Sequence, residues 1–464
     1  MFIYNIMNLI FCCDTAGGIG KDNMLPWDFR EDIQFFNKIT TTTTLPETKN
    51  IVIMGRKTAE SLPIDILPNR LNIIISKTKR DNKENKLYFQ DFNAAVNYSK
   101  LQIKNANYEK IWIIGGSSIY NQAYNHIDLD KIYITKINKN FNCDTFIDIP
   151  RVKILKSNIV QALNLRDNSL HDLHFMECVR EETAEIQYLK LMRDIYQNGE
   201  KRKTRNGNCI SLFSKELKFD LIDGFPLLTT KKMFWRGIVE ELLFFIRGDT
   251  NTKKLEEKGI KIWKGNTSKE FLSNMKLDYE EGEMGPMYGY QWRHFNKPYK
   301  ASEGGIDQLQ NLIKEIRENP SSRRLLLTDF NPAQAHEGVL YPCHSLILQF
   351  YVENNFLSVK MYQRSADVFL GLPFNIASTS LLLHIIAMIT NLQPKDVTIT
   401  LGDCHLYEEH LLQVETQLNR NFYDQPKLSI PKFNDISDVE KSTYENYILT
   451  DYNFHPGIKA QMIA

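Results

Sequence analysis

Short runs of consecutive apolar residues recur through the first part of the chain, separated by stretches with helical spacing. Residues 8–13, 51–54, 71–76, 110–114 and 131–137 are near-continuous apolar segments. Strands buried on both faces read this way, so these runs predict a parallel sheet. Residues 32–39 place Ile33, Phe35, Phe36 and Ile39 at helical spacing. Helices between buried strands predict an α/β layer fold. Residues 176–179 read as the last strand of this region, and Arg180 to Glu185 as a short charged joint. Thr183 is placed to cap a helix over residues 184–196. The pattern divides the chain into a domain at 1–179, a linker at 180–183 and a second domain at 184–464. In the second, residues 237–246 and 376–392 predict buried helices, and residues 325–328 a strand. Residues 346–352 and 356–362 predict a hairpin through Glu353-Asn354-Asn355.

At 464 residues the chain exceeds one hydrophobic core and suits two or three domains. Composition is that of a soluble globular protein, 42% hydrophobic and 24% charged. A formal net charge of +1 argues against bulk attraction to nucleic acid or membrane. It leaves room for a local basic pocket around one phosphate. The seven cysteines show no CxxC spacing and predict reduced thiols in a cytoplasmic compartment. Residues 1–13 are apolar but lack a basic start and a small-residue cleavage site. A first buried strand is expected there rather than a signal peptide. Ser378, Ser380 and His384 interrupt residues 376–392, which predicts a core helix rather than a membrane span. Metal ligands at suitable spacing are not evident.

Three features of the first domain carry chemistry. The loop Ile19-Gly20-Lys21-Asp22-Asn23-Met24-Leu25-Pro26-Trp27 precedes Asp32, which shares a helical face with Phe36. A carboxylate on an apolar helix face is costly without a partner, so Asp32 reads as an anchor for a basic heterocycle. The bland alternative is a first-turn acid favoured by the helix dipole. Met54-Gly55-Arg56-Lys57-Thr58 leads from a strand into a basic helix start able to hold phosphate. A solvated Arg-Lys pair is the commoner explanation of those two residues alone. Ile113-Ile114-Gly115-Gly116-Ser117-Ser118-Ile119-Tyr120 sets paired glycines between strand and helix, where backbone can approach a pyrophosphate. A tight turn is an equal reading of that segment by itself.

In this order and spacing the three features resemble dihydrofolate reductase. Leu67-Pro68-Asn69-Arg70, residues 72–76, Tyr133-Ile134-Thr135 and Asp144-Thr145-Phe146 extend the resemblance. It implies an N-terminal α/β fold with a central, mostly parallel sheet that uses NADPH. By matched motif, Asp32 would hydrogen-bond the pterin and support its protonation. Phe36 would pack on the folate, and Arg70 would grip the glutamate carboxylate bidentately. Ile10 and Ile114 would line the pterin pocket, with Thr135 behind Asp32. Arg56, Lys57, Thr58 and Ser76 would hold NADPH phosphates. Gly115, Gly116, Ser117, Ser118, Ile119 and Tyr120 would run along the pyrophosphate and nicotinamide, and Cys12, Ile19 and Gly20 belong to the same side. The loop from Ile19 to Trp27 would close over the nicotinamide. Ala59 departs from the aromatic residue many members carry, and Phe11-Cys12-Cys13 replaces smaller residues.

The second domain centres on Tyr341-Pro342-Cys343-His344, followed by Gln363-Arg364-Ser365-Ala366-Asp367-Val368-Phe369-Leu370-Gly371-Leu372-Pro373-Phe374-Asn375. Pairing of the intervening hairpin would bring Arg364 back beside Cys343, and a guanidinium beside a thiol favours the nucleophilic thiolate. A lone cysteine is otherwise a small buried hydrophobe. The stretch resembles the active-site region of thymidylate synthase, which implies a C-terminal α+β fold and the methylation of dUMP by 5,10-methylenetetrahydrofolate.

The resemblance makes Cys343 the nucleophile. Glu241, in Glu240-Glu241-Leu242-Leu243, becomes a buried proton-relay carboxylate that works with Tyr288. Arg205, Arg364 and Ser365 would hold the phosphate of dUMP, joined by Arg323 and Arg324 from a partner subunit. Asn375 would read the uracil edge, and His405 and Tyr407 the ribose. Trp263 and Asp367 would contact the folate, and the tail from His455 would close over it. Thr204, Asn206 and Lys264 depart from the family pattern.

The two resemblances adjoin and cover nearly the whole chain, as in the bifunctional dihydrofolate reductase–thymidylate synthases of protists and plants. They imply a homodimer formed through the synthase domain, two small-molecule substrates, dUMP and dihydrofolate, and neither membrane nor obligatory nucleic-acid partner. Two other classes compete: one working enzyme fused to a degenerate binding domain, or a nucleotide- or RNA-binding regulator built on the synthase dimer.

Overall fold

The apolar runs of the first domain are the inner strands of one eight-stranded sheet. In the computed structural model, which describes residues 6–78, 81–105, 107–148, 151–222 and 224–463, its order runs from Lys86–Phe89 through Arg70–Ile75, Lys49–Gly55, Tyr108–Ile113, Met7–Cys13 and Leu129–Ile137 to Ser169–Arg180 and Val152–Asn164. The first six are mutually parallel, and the last two are antiparallel additions. Residues 1–5, which begin the apolar N-terminal run, lie outside the described residues.

Met7, Leu9, Ile51, Ile53, Ile73, Ile111 and Ile113 are buried to completion, as continuous apolar strands should be when helices cover both faces. Helix Arg30–Thr41 is amphipathic and turns Phe35, Phe36 and Ile39 towards an apolar cluster with Ile10, Met54, Trp112 and Ile114. The expected end strand is much longer than residues 176–179. It runs Ser169–Arg180 and pairs with Val152–Asn164, whose outward face is too mixed in polarity to show a clear period.

The chain divides into compact units between Glu182 and Thr183. Thr183 caps helix Ala184–Asn198 by accepting the Ile186 N–H at 3.4 Å.

The second unit is built on a six-stranded sheet in the order Glu200–Thr204, Gly207–Asp220, Gln393–Tyr407, Phe356–Asp367, Ile347–Glu353 and Leu326–Leu327. Only Phe356–Asp367 and Gln393–Tyr407 pair in parallel. The hairpin turn is tighter than its pattern suggested. Glu353 pairs with Phe356 inside the ladder, leaving Asn354 and Asn355, both at positive φ, as a two-residue turn. The strand expected over residues 325–328 shrinks to Leu326–Leu327: Thr328 turns to Gln308 and Leu346, while the Leu325 carbonyl still accepts the Phe350 N–H of the neighbouring strand at 2.8 Å. Helix Gly371–Ile389 is apolar on nearly every face and long enough to cross a membrane by length and composition, yet 78% of that stretch is buried inside the fold. It packs on strands Phe356–Asp367 and Gln393–Tyr407 and on helix Trp235–Ile246.

Candidate active sites

Asp32 lies in the first turn of helix Arg30–Thr41. Burial raises its pKa, while hydrogen bonding from Thr135 and Cys12 pulls it back. Cys12 and Thr135 are register partners on neighbouring parallel strands, so both side chains reach the same face. One turn along the helix, Phe36 lies beneath the Arg70 guanidinium at 5.7 Å. Arg70 is 2% exposed and donates to Thr40 Oγ1 at 2.6 Å and the Pro68 carbonyl at 3.0 Å. Burial lowers its pKa, with no carboxylate among the described residues to offset the charge. A buried cation held in place without an anion is a ready acceptor site for a ligand carboxylate. Ile10 and Ile114 join Phe36 in the apolar wall of this cleft.

The glycine pair meets the basic helix start. The Gly55 N–H donates to the Gly115 carbonyl at 2.7 Å. A Cβ on Gly115 would stand 3.2 Å from Thr58 Oγ1, and one on Gly116 3.3 Å. Gly115 also has φ +128°, so glycine alone keeps this cradle open. Tyr120 closes its inner side by donating to the Ile10 carbonyl at 2.8 Å, and Ile119 is buried beside Gly55. Ser117 donates to the Phe146 carbonyl at 2.6 Å, and the Ser118 carbonyl accepts from Gln122.

Ile19 and Gly20 lie on or beside the short strand Gly18–Gly20, which pairs with Thr145–Phe146. The loop beyond is pinned where the Asp22 N–H meets Asp144 at 2.8 Å. Arg56 is engaged within its own helix by Glu60 at 2.8 Å, Lys57 is exposed, and buried Ser76 donates to the Thr78 carbonyl.

In the second unit the hairpin returns Arg364 to Cys343, with the Arg364 N–H donating to the Cys343 carbonyl at 3.0 Å. The guanidinium grips the carbonyls of Pro342 and Tyr341 at 2.7 and 2.8 Å. Tyr288 Oη stands 3.5 Å from Cys343 Sγ. Burial holds the Cys343 thiol above its ordinary value, and it outweighs Tyr288 and Arg364, the guanidinium favouring the thiolate as expected.

Sequence reasoning gave no role to His344. Its ring stacks on Tyr288 at 4.5 Å, and burial presses its pKa down to about 4, so it is neutral. His344 lines a small cavity with Glu241, Ser345 and Ser378. Burial pushes Glu241 up to about 7, opposed by Trp263 Nε1, which donates at 2.7 Å. An acid poised near neutrality is suited to moving protons. Glu240, the alternative, is tied to Lys258 at 2.5 Å.

Asn375, at the start of helix Gly371–Ile389, accepts from Gln363 Nε2 at 3.0 Å. Asp367 accepts the N–H groups of Phe369 and Leu370. Ser365 and Asp367 are register partners of Asp403 and His405. His405 bonds Asp403 at 2.9 Å and lies 5.1 Å from the Tyr407 ring. Lys231, also missed, is buried beside this group over the Phe369 ring at 3.9 Å, its pKa lowered by burial to about 7. The Thr229-Thr230-Lys231-Lys232 run was visible, but which lysine turned inward was not.

Three expected phosphate ligands are exposed. Arg205 is exposed in the two-residue turn before Gly207–Asp220 and bonds Asn206 at 3.0 Å. Arg323 and Arg324 are exposed just ahead of strand Leu326–Leu327. Lys264, a departure from the family pattern, pairs with Glu256 at 3.7 Å.

Comparison with known proteins agrees with this geometry. The dihydrofolate reductase family model matches residues 6–180, and the thymidylate synthase family model matches residues 186–464. A bifunctional dihydrofolate reductase-thymidylate synthase of Paramecium tetraurelia is 37% identical over 470 residues, covering 98% of each chain. The Zea mays protein of that description is 37% identical over 495 residues, covering 96% of this chain and 94% of its own. That of Plasmodium chabaudi is 32% identical over 562 residues, covering 98% and 95%. With both catalytic units present in one chain, this chain belongs to the bifunctional dihydrofolate reductase–thymidylate synthase family.

Proposed function

We propose that the second unit makes dTMP from dUMP and 5,10-methylenetetrahydrofolate, and that the first unit reduces the dihydrofolate so formed with NADPH. The observation that carries this reading is Cys343, with Tyr288 Oη at 3.5 Å and the Arg364 backbone bonded to its own. Cys343 attacks carbon 6 of the uracil, which activates carbon 5 towards the one-carbon unit. Asn375, already bonded to Gln363, orients the base, and His405 and Tyr407 hold the sugar. Glu241, poised near neutrality, moves protons through the cavity it shares with His344, and Tyr288 adds its hydroxyl beside the thiol. Trp263 and Asp367 face the folate of this half.

In the first unit Asp32 holds the pterin and supports its protonation, backed by Thr135. Phe36, Ile10 and Ile114 supply the apolar wall, and Arg70 takes the glutamate carboxylate. NADPH supplies the hydride when bound. The cradle of Thr58, Gly115 and Gly116 fits its pyrophosphate, because a side chain on either glycine would fill that space. Lys57 and Ser76 stand near as further phosphate contacts, and Arg56 would exchange Glu60 for phosphate.

Exposed Arg323 and Arg324 fit a role in the phosphate site of a second copy, which makes the working unit a homodimer. Arg205, Arg364 and Ser365 complete the clamp from the chain that holds Cys343. Seven free thiols suit a reducing, cytoplasmic compartment. Separate assays of dTMP formation and dihydrofolate reduction on the purified chain test the division of labour. Loss of either activity from the intact protein would reduce it to a single enzyme with a binding domain.

A further inference from the structure

Glu185 reads in the sequence as the end of a charged joint, yet it is only 2% exposed. It is the second residue of helix Ala184–Asn198. Its carboxyl accepts the backbone N–H groups of Thr229 and Thr230 at 2.9 and 2.7 Å. It also accepts both threonine hydroxyls, at 2.5 and 2.7 Å. An amide N–H can only donate, so the two backbone bonds stand whether or not the carboxyl is ionised. A buried group bonded this fully is fixed, and so is the segment bonded to it.

The segment from Thr229 to Lys232 holds other parts of the second unit in turn. The Thr229 carbonyl accepts the His455 N–H at 2.8 Å, and the Lys232 N–H donates to the His455 carbonyl at 2.8 Å. Beyond strand Ile448–Thr450 the described residues of the tail form no helix or strand, so such single bonds set its place. Arg420 adds a bridge, donating to the carbonyls of Thr230 and Pro456, both at 2.7 Å. On the other side, buried Lys231 donates to the Phe369 carbonyl, and the Phe369 N–H donates to Asp367 at 3.0 Å. Tyr188, one turn along the helix from Glu185, donates to the Val368 carbonyl at 2.9 Å. One helix end therefore underlies both the tail and the Asp367 loop.

We propose that Glu185 is a positioning residue for the folate side of the synthase site. It acts through Thr229-Thr230-Lys231, which ties the helix end to the tail at His455 and to the loop at Asp367. This rests on reading Asp367 as a folate contact. Loss of the carboxyl leaves buried N–H groups without their acceptor, and the segment must shift to find another. Folate binding then suffers. The nucleophile does not, because its place is set by the backbone pairing of Cys343 with Arg364.

Glu185→Ala removes both acceptor oxygens. Glu185→Gln keeps the shape but turns an NH2 group towards the donors, and serves where the alanine variant fails to fold. In either folded variant the KM for 5,10-methylenetetrahydrofolate is expected to rise about tenfold, the effect of leaving one buried donor unpaired, with the KM for dUMP unchanged. Hydrogen exchange of the ligand-free full chain, read by mass spectrometry on the peptide that carries His455, should quicken by a similar factor. Peptides from strand Ile347–Glu353 should exchange as in the wild type. A merely structural role would lower the melting temperature and leave both the folate KM and the tail exchange at wild-type values. That result overturns the proposal, as does an equal rise in the two KM values. Exchange needs no turnover, so its failure is distinct from absence of dTMP formation by the unaltered chain, which would remove the synthase reading itself.

Discussion

The backbone N–H of Arg364 donates to the carbonyl of Cys343 at 3.0 Å. That bond is made because Asn354 and Asn355 close the hairpin in two residues, which fixes the register all the way to its open end. The nucleophile is therefore placed by strand pairing rather than by a flexible loop. Its guanidinium neighbour holds the Pro342 and Tyr341 carbonyls, so the whole Tyr341–Cys343 segment is stapled to the next strand.

Cys343→Ala is expected to abolish dTMP formation while dihydrofolate reduction continues at the wild-type rate. Separate assays of the two activities check it. The variant leaves both sheets intact, since the Arg364 bond to residue 343 uses backbone atoms only.

Asp32→Asn is expected to slow dihydrofolate reduction by about 10²–10⁴, the range for a group that handles a proton. Burial raises the Asp32 pKa, and the loss should be largest at neutral pH, where solvent supplies few protons. A pH–rate profile that keeps its wild-type shape would remove Asp32 from the proton path.

Glu241→Gln separates function from stability. Glu241 titrates near 7 in the folded chain against an ordinary 4.5, so folding favours its protonated form. Its burial costs nothing below the lower value, and the cost grows with pH until it levels off above the higher one. The amide should therefore stabilise the protein above pH 7, by up to about 3 kcal/mol, with no gain near pH 4. Synthase turnover should fall at the same time. Thermal unfolding across pH and a dTMP assay read the two effects; a gain that grows towards acid pH would contradict the assignment.

Arg323→Ala mixed with Cys343→Ala tests whether the phosphate clamp is shared between subunits. Each variant alone should be inactive as a synthase. Subunit exchange should restore activity, because one of the two sites in each heterodimer then carries both groups. Continued inactivity after exchange, shown by tagged co-purification of heterodimers, would place the arginines in the site of their own chain.

Much of this was legible in the sequence. Continuous apolar runs such as residues 51–54 gave the parallel core, because strands covered on both faces leave no polar alternation to confuse the reading. The long pair Val152–Asn164 and Ser169–Arg180 was largely missed, since a strand exposed on one side carries too irregular a pattern. Cys343 and Asp32 were found through motif and order. His344 and Lys231 were not, because their surroundings depend on burial and on partners distant in sequence. The His344 ring acquires its place only by stacking on Tyr288. The pull of Arg364 on the Cys343 thiol can be read from spacing, whereas the desolvation that outweighs it cannot.

The central claim is that one chain makes dihydrofolate in one half and consumes it in the other. The most direct measurement supplies the intact protein with dUMP and 5,10-methylenetetrahydrofolate, with and without NADPH, and follows dTMP, dihydrofolate and NADPH together. Without NADPH, dihydrofolate should accumulate one for one with dTMP. With NADPH, dTMP should form as before, NADPH should be oxidised in equal amount and dihydrofolate should remain low. Formation of dTMP with NADPH left unoxidised, or NADPH oxidation that does not depend on dUMP, would contradict the account.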